Sequence, residues 1–264
     1  MKKTLLVLFI ALLFDNAYAQ KLPAKQQASV RIPANVKIDG KATEWNNQFQ
    51  AYNNATDLYY TLANNSDDLY LIIKTKNRYA YTKIIEKGLT LSIKNPKTGK
   101  DVNFTFPNRI GNGSITSKFS LAMVRSSDKV SEREIAGYNK TLADKHKFIK
   151  VEGVAGVDSL VSIYNEKGVR AAELLDINKF YTLEMSISIK LMDLLVTNVS
   201  KISYHIKINP MSEDLRPVDV NEVRYPDGSG VAPERRDAVF AEMTATNIKM
   251  YGGTDFKGEY ILAK

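Results

Sequence analysis

Cysteine is absent from the 264 residues, which excludes disulfides, zinc–thiolate sites, cysteine nucleophiles and any lipid carried on a cysteine. Histidine is scarce: only His146 and His205 occur, and neither belongs to a ligand-spaced cluster. Metal and nucleophile sites need several convergent groups, so no metal site is expected. Tryptophan occurs once, at Trp45. The G-x-S-x-G, H-E-x-x-H and P-loop patterns are missing, and with them familiar signs of hydrolase, metalloprotease and nucleotide chemistry. Basic residues exceed acidic ones, giving a net charge of +8, but they are scattered along the chain. Without a dense basic block or a nucleic-acid motif, no nucleic-acid partner is expected; the charge reads as a solvated surface.

Long apolar runs are also lacking, with one exception at the N-terminus. Lys2 and Lys3 precede an apolar stretch over 5–14, followed by Ala17-Tyr18-Ala19. A positive start, a short apolar run and a small-x-small site form a secretory signal peptide. The run is about half the ~20 residues that span a bilayer. Residues 1–19 are therefore expected to be removed, leaving 20–264 as a single exported domain with no membrane span. Its destination is the periplasm, the cell surface or the medium. Without disulfides, such a domain depends on its apolar core for stability.

Period-two alternation dominates the rest. Val102, Phe104 and Phe106 alternate with polar residues, as do Leu89, Leu91 and Ile93. The same holds for the odd positions over 181–189 and for Ile202, Tyr204, Ile206 and Ile208. Such alternation places one set of side chains on a core and the other toward water. The stretches 58–63 and 69–75 are apolar on both faces, as in strands covered on both sides, and the cluster Asn64-Asn65-Ser66-Asp67-Asp68 between them predicts a hairpin turn. Asp67 and Asp68 are read as turn residues rather than a catalytic pair. Further strands are expected near 29–32, 119–124, 160–164, 171–175 and 258–263. Many short strands with one-sided patterning predict an all-β fold, an antiparallel β-sandwich of jelly-roll or immunoglobulin-like type.

One or two short helices are expected within it. Ser131-Glu132-Arg133-Glu134 is a capping box opening a surface helix over 131–146. Tyr81, Ile84 and Ile85 ahead of Gly88 predict a shorter one. His146 ends the first helix, where its charge would complement the dipole, and His205 lies on the polar face of its strand. Both are read as surface histidines. The stretch 209–243, rich in proline, glycine and charge, is expected to be irregular.

Ile38-Asp39-Gly40-Lys41-Ala42-Thr43-Glu44-Trp45 resembles the opening signature of family 9 carbohydrate-binding modules and the related DOMON-like sandwiches. The hairpin after it is similar to that family's next pair of strands. The segments 168–173, 181–189 and 254–262 resemble its later strands, so the likeness covers nearly the whole expected mature chain. It implies a non-catalytic exported binding module for carbohydrate, with Asp39, Gly40, Glu44 and Trp45 as an architectural motif. Sugar-binding members hold a terminal ring between two tryptophans; this chain has one, at the structural position, where it is expected to plug an end of the sandwich. DOMON relatives that carry haem use Met and His ligands, but no such pair is readable here, and no cofactor is expected.

A ligand would sit on loops framed by the strands. Within 209–243, Arg224-Tyr225-Pro226-Asp227-Gly228 combines a flat aromatic, a fork of donors and a carboxylate at a turn. Arg224, Tyr225 and Asp227 are therefore the sequence-based binding residues for a glycan. The alternative is an exported sandwich that contacts an envelope protein without recognising sugar.

Overall fold

The computed structural model describes residues 21–95, 98–111, 113–118, 130–192, 201–212, 223 and 229–264. Among the described residues, eleven strands form two antiparallel sheets. The first contains β1 (Ala51–Asn53), β2 (Leu58–Asn64), β3 (Asp68–Thr75), β9 (Tyr181–Ser188) and β8 (Val169–Leu175), in that spatial order. The second runs β11 (Thr254–Ile261), β10 (Lys201–Ile208), β4 (Leu89–Lys94), β5 (Asp101–Asn108), β6 (Phe148–Glu152) and β7 (Leu160–Ser162). The facing sides of the two sheets enclose one core, so the chain is an all-β sandwich.

Register follows the alternation in the sequence. Leu69, Leu71 and Ile73 of β3 point inward with Leu183, Met185 and Ile187 of β9. From the other sheet come Leu89, Leu91 and Ile93 with Phe104, Phe106, Tyr204 and Ile206. A one-residue slip would turn every one of these outward, which is why patterning fixes the pairing. Across the core, the Tyr60 and Tyr204 hydroxyls pair at 2.8 Å, so two buried polar ends satisfy each other. Gly258 lies opposite Tyr204; a Cβ there would meet the phenol oxygen at 2.3 Å.

The two sheets differ on their outer sides. The six-stranded sheet turns Ser203, His205 and Lys207 away from the core, within a strand whose buried residues alternate with exposed or half-buried ones. The five-stranded sheet has a second, smaller core outside it: Ala63, Tyr70 and Ile72 are covered by Ala42, Trp45 and Phe49, with Val30, Ile32, Val36 and Ile38 alongside. The double-sided apolarity of β2 and β3 has this cause. Trp45 is therefore on the sheet's outer face, not at an end of the sandwich.

Three α-helices occur among the described residues. Helix α1 (Arg78–Lys87) is capped by the Asn77 side chain at its start and by Gly88 at its end. Helix α2 (Glu132–Lys145) opens with the expected capping box at Ser131 and Glu134. The third, α3 (Arg236–Tyr251), corrects the expectation that 209–243 is irregular throughout: its first half falls in that stretch. Its apolar residues form no strong stripe and none is buried, so the sequence carried no amphipathic period to reveal it. The expected strand at 29–32 is likewise corrected: it makes only an isolated bridge between Arg31 and Asn64. Residues 119–124 lie outside the described residues. No helix among those described is long and apolar enough to cross a membrane.

Candidate functional site

The site begins with the turn at 38–40. The backbone N–H groups of Asp39 and Gly40 donate to Glu184 Oε2 at 2.9 and 2.7 Å. The Tyr70 hydroxyl donates to the other carboxylate oxygen. Gly40 has φ +79°, and a Cβ there would lie 2.6 Å from the Glu173 carbonyl carbon and 2.8 Å from Leu174. Only glycine fits so close an approach in that conformation. Glu184 has no solvent exposure. Burial pushes its carboxyl up to about 7, although the Tyr70 hydroxyl and the two backbone donors pull the other way. Burial, and then the Glu184 charge, push the Tyr70 phenol far above its usual range.

Tyr70 in turn carries Trp45, whose ring stacks on it with centroids 5.2 Å apart. Glu44, beside Trp45, accepts from the Thr43 hydroxyl at 2.9 Å. Asp39, Gly40, Glu44 and Trp45 thus form one anchored loop on the sheet. The loop ends in a tight turn in which the Asn47 N–H donates to the Ala42 carbonyl at 2.9 Å. Asn46 and Asn47 take φ of 50° and 54°, a left-handed conformation that asparagine tolerates better than most residues.

This turn projects Asn47 and Gln48 beside Gln50, Phe49 and Tyr59, which with Leu22 line an open groove of about 520 Å³. Lys74 and Phe180 complete its lining. Tyr59 is 37% exposed; its ring leans on Tyr52 at 4.6 Å and on Phe49 at 6.0 Å between centroids. Phe180 is set by the turn between β8 and β9, where Asp176 Oδ1 accepts from the Asn178 and Phe180 N–H groups at 2.8 and 2.9 Å. The Lys74 ammonium lies 4.8 Å from the Phe180 ring centre and donates to Asn47 Oδ1 at 2.9 Å. The groove therefore offers an exposed aromatic face, three amides that both donate and accept, and one cation.

Two other polar assemblies stand apart from the groove. Glu173, on the inner face of β8, is bonded to His146 Nδ1 through one oxygen and to the Tyr181 hydroxyl at 2.5 Å through the other. The His146 and Glu173 side chains are 1% and 4% exposed. His146 is accordingly not a surface histidine: α2 packs along β8 and delivers its C-cap into the core. His205 does lie on the water-facing side of β10, 27% exposed, with Nε2 2.7 Å from Asp255 Oδ2. A hollow of about 560 Å³ on that sheet mixes Lys25, Lys94 and Lys257 with Asp101 and Glu259.

The sequence-based binding residues Arg224, Tyr225 and Asp227 lie outside the described residues. The groove residues were missed because they come from separate parts of the chain, at 22, 47–50, 59, 74 and 180. An unusual signal was present in Asn46-Asn47-Gln48, a polar run directly after the sole tryptophan. Among the described residues, no group of three or more His, Asp or Glu is placed to hold a metal ion. No protein-family model matches the chain, and no curated protein matches it either.

Proposed function

We propose that this chain is an exported, non-catalytic binding module that takes a glycan in the groove on the outer face of the five-stranded sheet. The observation that carries the proposal is the half-open Tyr59 ring framed by Asn47, Gln48 and Gln50. A sugar presents an apolar C–H face and a rim of hydroxyls that each donate and accept. An aromatic ring suits the first and side-chain amides suit the second. A lining with few ionisable groups also fits binding better than bond cleavage, which for glycosides generally needs two carboxyl groups across the scissile bond. The anchoring of the loop through Trp45, Tyr70 and Glu184 holds the amides in place before a ligand arrives, which lowers the ordering cost of binding.

A glycan array probed with the chain from Gln20 onward tests this reading, with hits measured by calorimetry. Tyr59→Ala should weaken binding of any hit by about tenfold or more, the scale of one lost stacking contact. Its melting temperature should stay near that of the parent, because the ring is partly exposed. An array without hits, or a hit indifferent to Tyr59→Ala, would remove the groove as a glycan site. Export predicts that material recovered outside the cytoplasm starts at Gln20; N-terminal sequencing that finds Met1 would contradict it.

A further inference from the structure

We infer that the groove selects an acidic sugar, one bearing a carboxylate or sulfate on the ring edge that faces Lys74. This rests on the glycan reading above and names the ligand class. Lys74, in the groove lining, is joined by Lys76 just outside it: their ammonium groups lie 4.8 and 5.5 Å from the centre of the same Phe180 ring. Among the described residues, neither lysine forms an ion pair with a carboxylate. Among the described residues, no Asp or Glu lines the groove.

The neighbouring acids are engaged elsewhere. Asp57 accepts from the Tyr52 hydroxyl at 2.6 Å and from Asn77 Nδ2 at 2.5 Å. Asp176 Oδ1 holds the two backbone donors that fix Phe180. Lys74 uses one donor on Asn47, and an ammonium has three. A neutral sugar would make no charge–charge contact with Lys74. An anionic one would meet it beside an apolar ring that limits screening by water. Tyr59 supplies the stacking face, and Phe180 holds the ammonium in place.

The test is an array carrying uronate-containing oligosaccharides beside their carboxyl-reduced counterparts, and sulfated ones beside desulfated counterparts. Each pair differs only in the charged group, and the two series separate carboxylate from sulfate. One charged series should bind about tenfold or more tighter than its neutral partner. That preference should shrink as salt rises from about 50 mM to about 500 mM. Lys74→Gln should abolish the preference, and Lys74→Arg should restore much of it. Equal binding of charged and neutral partners, or a preference that survives Lys74→Gln, overturns the inference. If neutral glycans bind equally well and depend on Tyr59, the glycan reading stands and only the acidic class falls. If no glycan of any kind binds, both fall.

Discussion

Glu184 shows how one side chain can hold a loop and make it sensitive to pH. Its carboxyl is pushed up to about 7 by burial, against three hydrogen bonds that favour the charged form. Between its unfolded value near 4.5 and about 7, the folded protein keeps a proton that the unfolded chain has lost. Its contribution to stability is therefore complete below that window, declines as pH rises through it, and is constant above. The expected fall is up to about 3 kcal/mol. Denaturant titrations at several pH values should show a steeper decline in the parent than in Glu184→Gln; equal slopes would contradict the assignment. Gly40 is constrained by the same turn, since any side chain there would strike the backbone of β8. His146 shows the reverse of its sequence reading. Its position after a helix is visible in sequence, but its burial comes from the packing of α2 on β8, and its partner Glu173 lies 27 residues away.

At the scale of elements, the loop bearing Trp45 behaves as a fitted cover. With Val30, Ile32 and Val36 it makes up the side of the second core that does not belong to the sheet. Trp45→Ala would leave a cavity over Tyr70, costing about 3–5 kcal/mol. It would also loosen the turn that presents Asn47, so groove affinity and melting temperature should fall together, as calorimetry and thermal unfolding can show. A variant that keeps its melting temperature would place the ring outside the core. The last strand is tied in as well. β11 pairs with β10 along its whole length, and the Tyr260 hydroxyl donates to the Val30 carbonyl at 2.9 Å. Deleting residues 258–264 removes that anchor and exposes the edge of β10, so the truncated chain should melt well below the full one. Other edges are blunted: β1 and β7 have three residues each, and Asn139 of α2 bonds both the N–H and the carbonyl of Leu175 on β8.

Over the whole molecule, the two cores share one sheet. β2, β3 and β9 give alternate residues to the sandwich interior and to the outer face, so neither core can lose its floor without the other. Unfolding should therefore be a single transition. Fluorescence of Trp45 reports the outer core and far-ultraviolet circular dichroism reports the sheets; their denaturation curves should coincide. A separate early fluorescence transition would mean that the N-terminal cover unfolds on its own.

The sandwich was legible because its strands alternate with a strict period of two, as β10 does over Ile202, Tyr204, Ile206 and Ile208. The capping box of α2 was equally plain, since its bonds lie within four residues. Such signals are local, and a sequence carries local information directly. The double-sided burial of β2 and β3 was readable as a pattern, but its cause was not, because the cover comes from residues 22–49, which show little period of their own. The groove required more. Lys74, Asn47 and Phe180 meet because β3 lies between β2 and β9 and because Trp45 pins the preceding loop. The sequence by itself determined which residues face inward along the strictly alternating strands, such as β4, β5, β9 and β10. Only the tertiary structure decided which outward-facing residues become neighbours, because sheet order and loop anchoring depend on contacts between segments far apart in the chain.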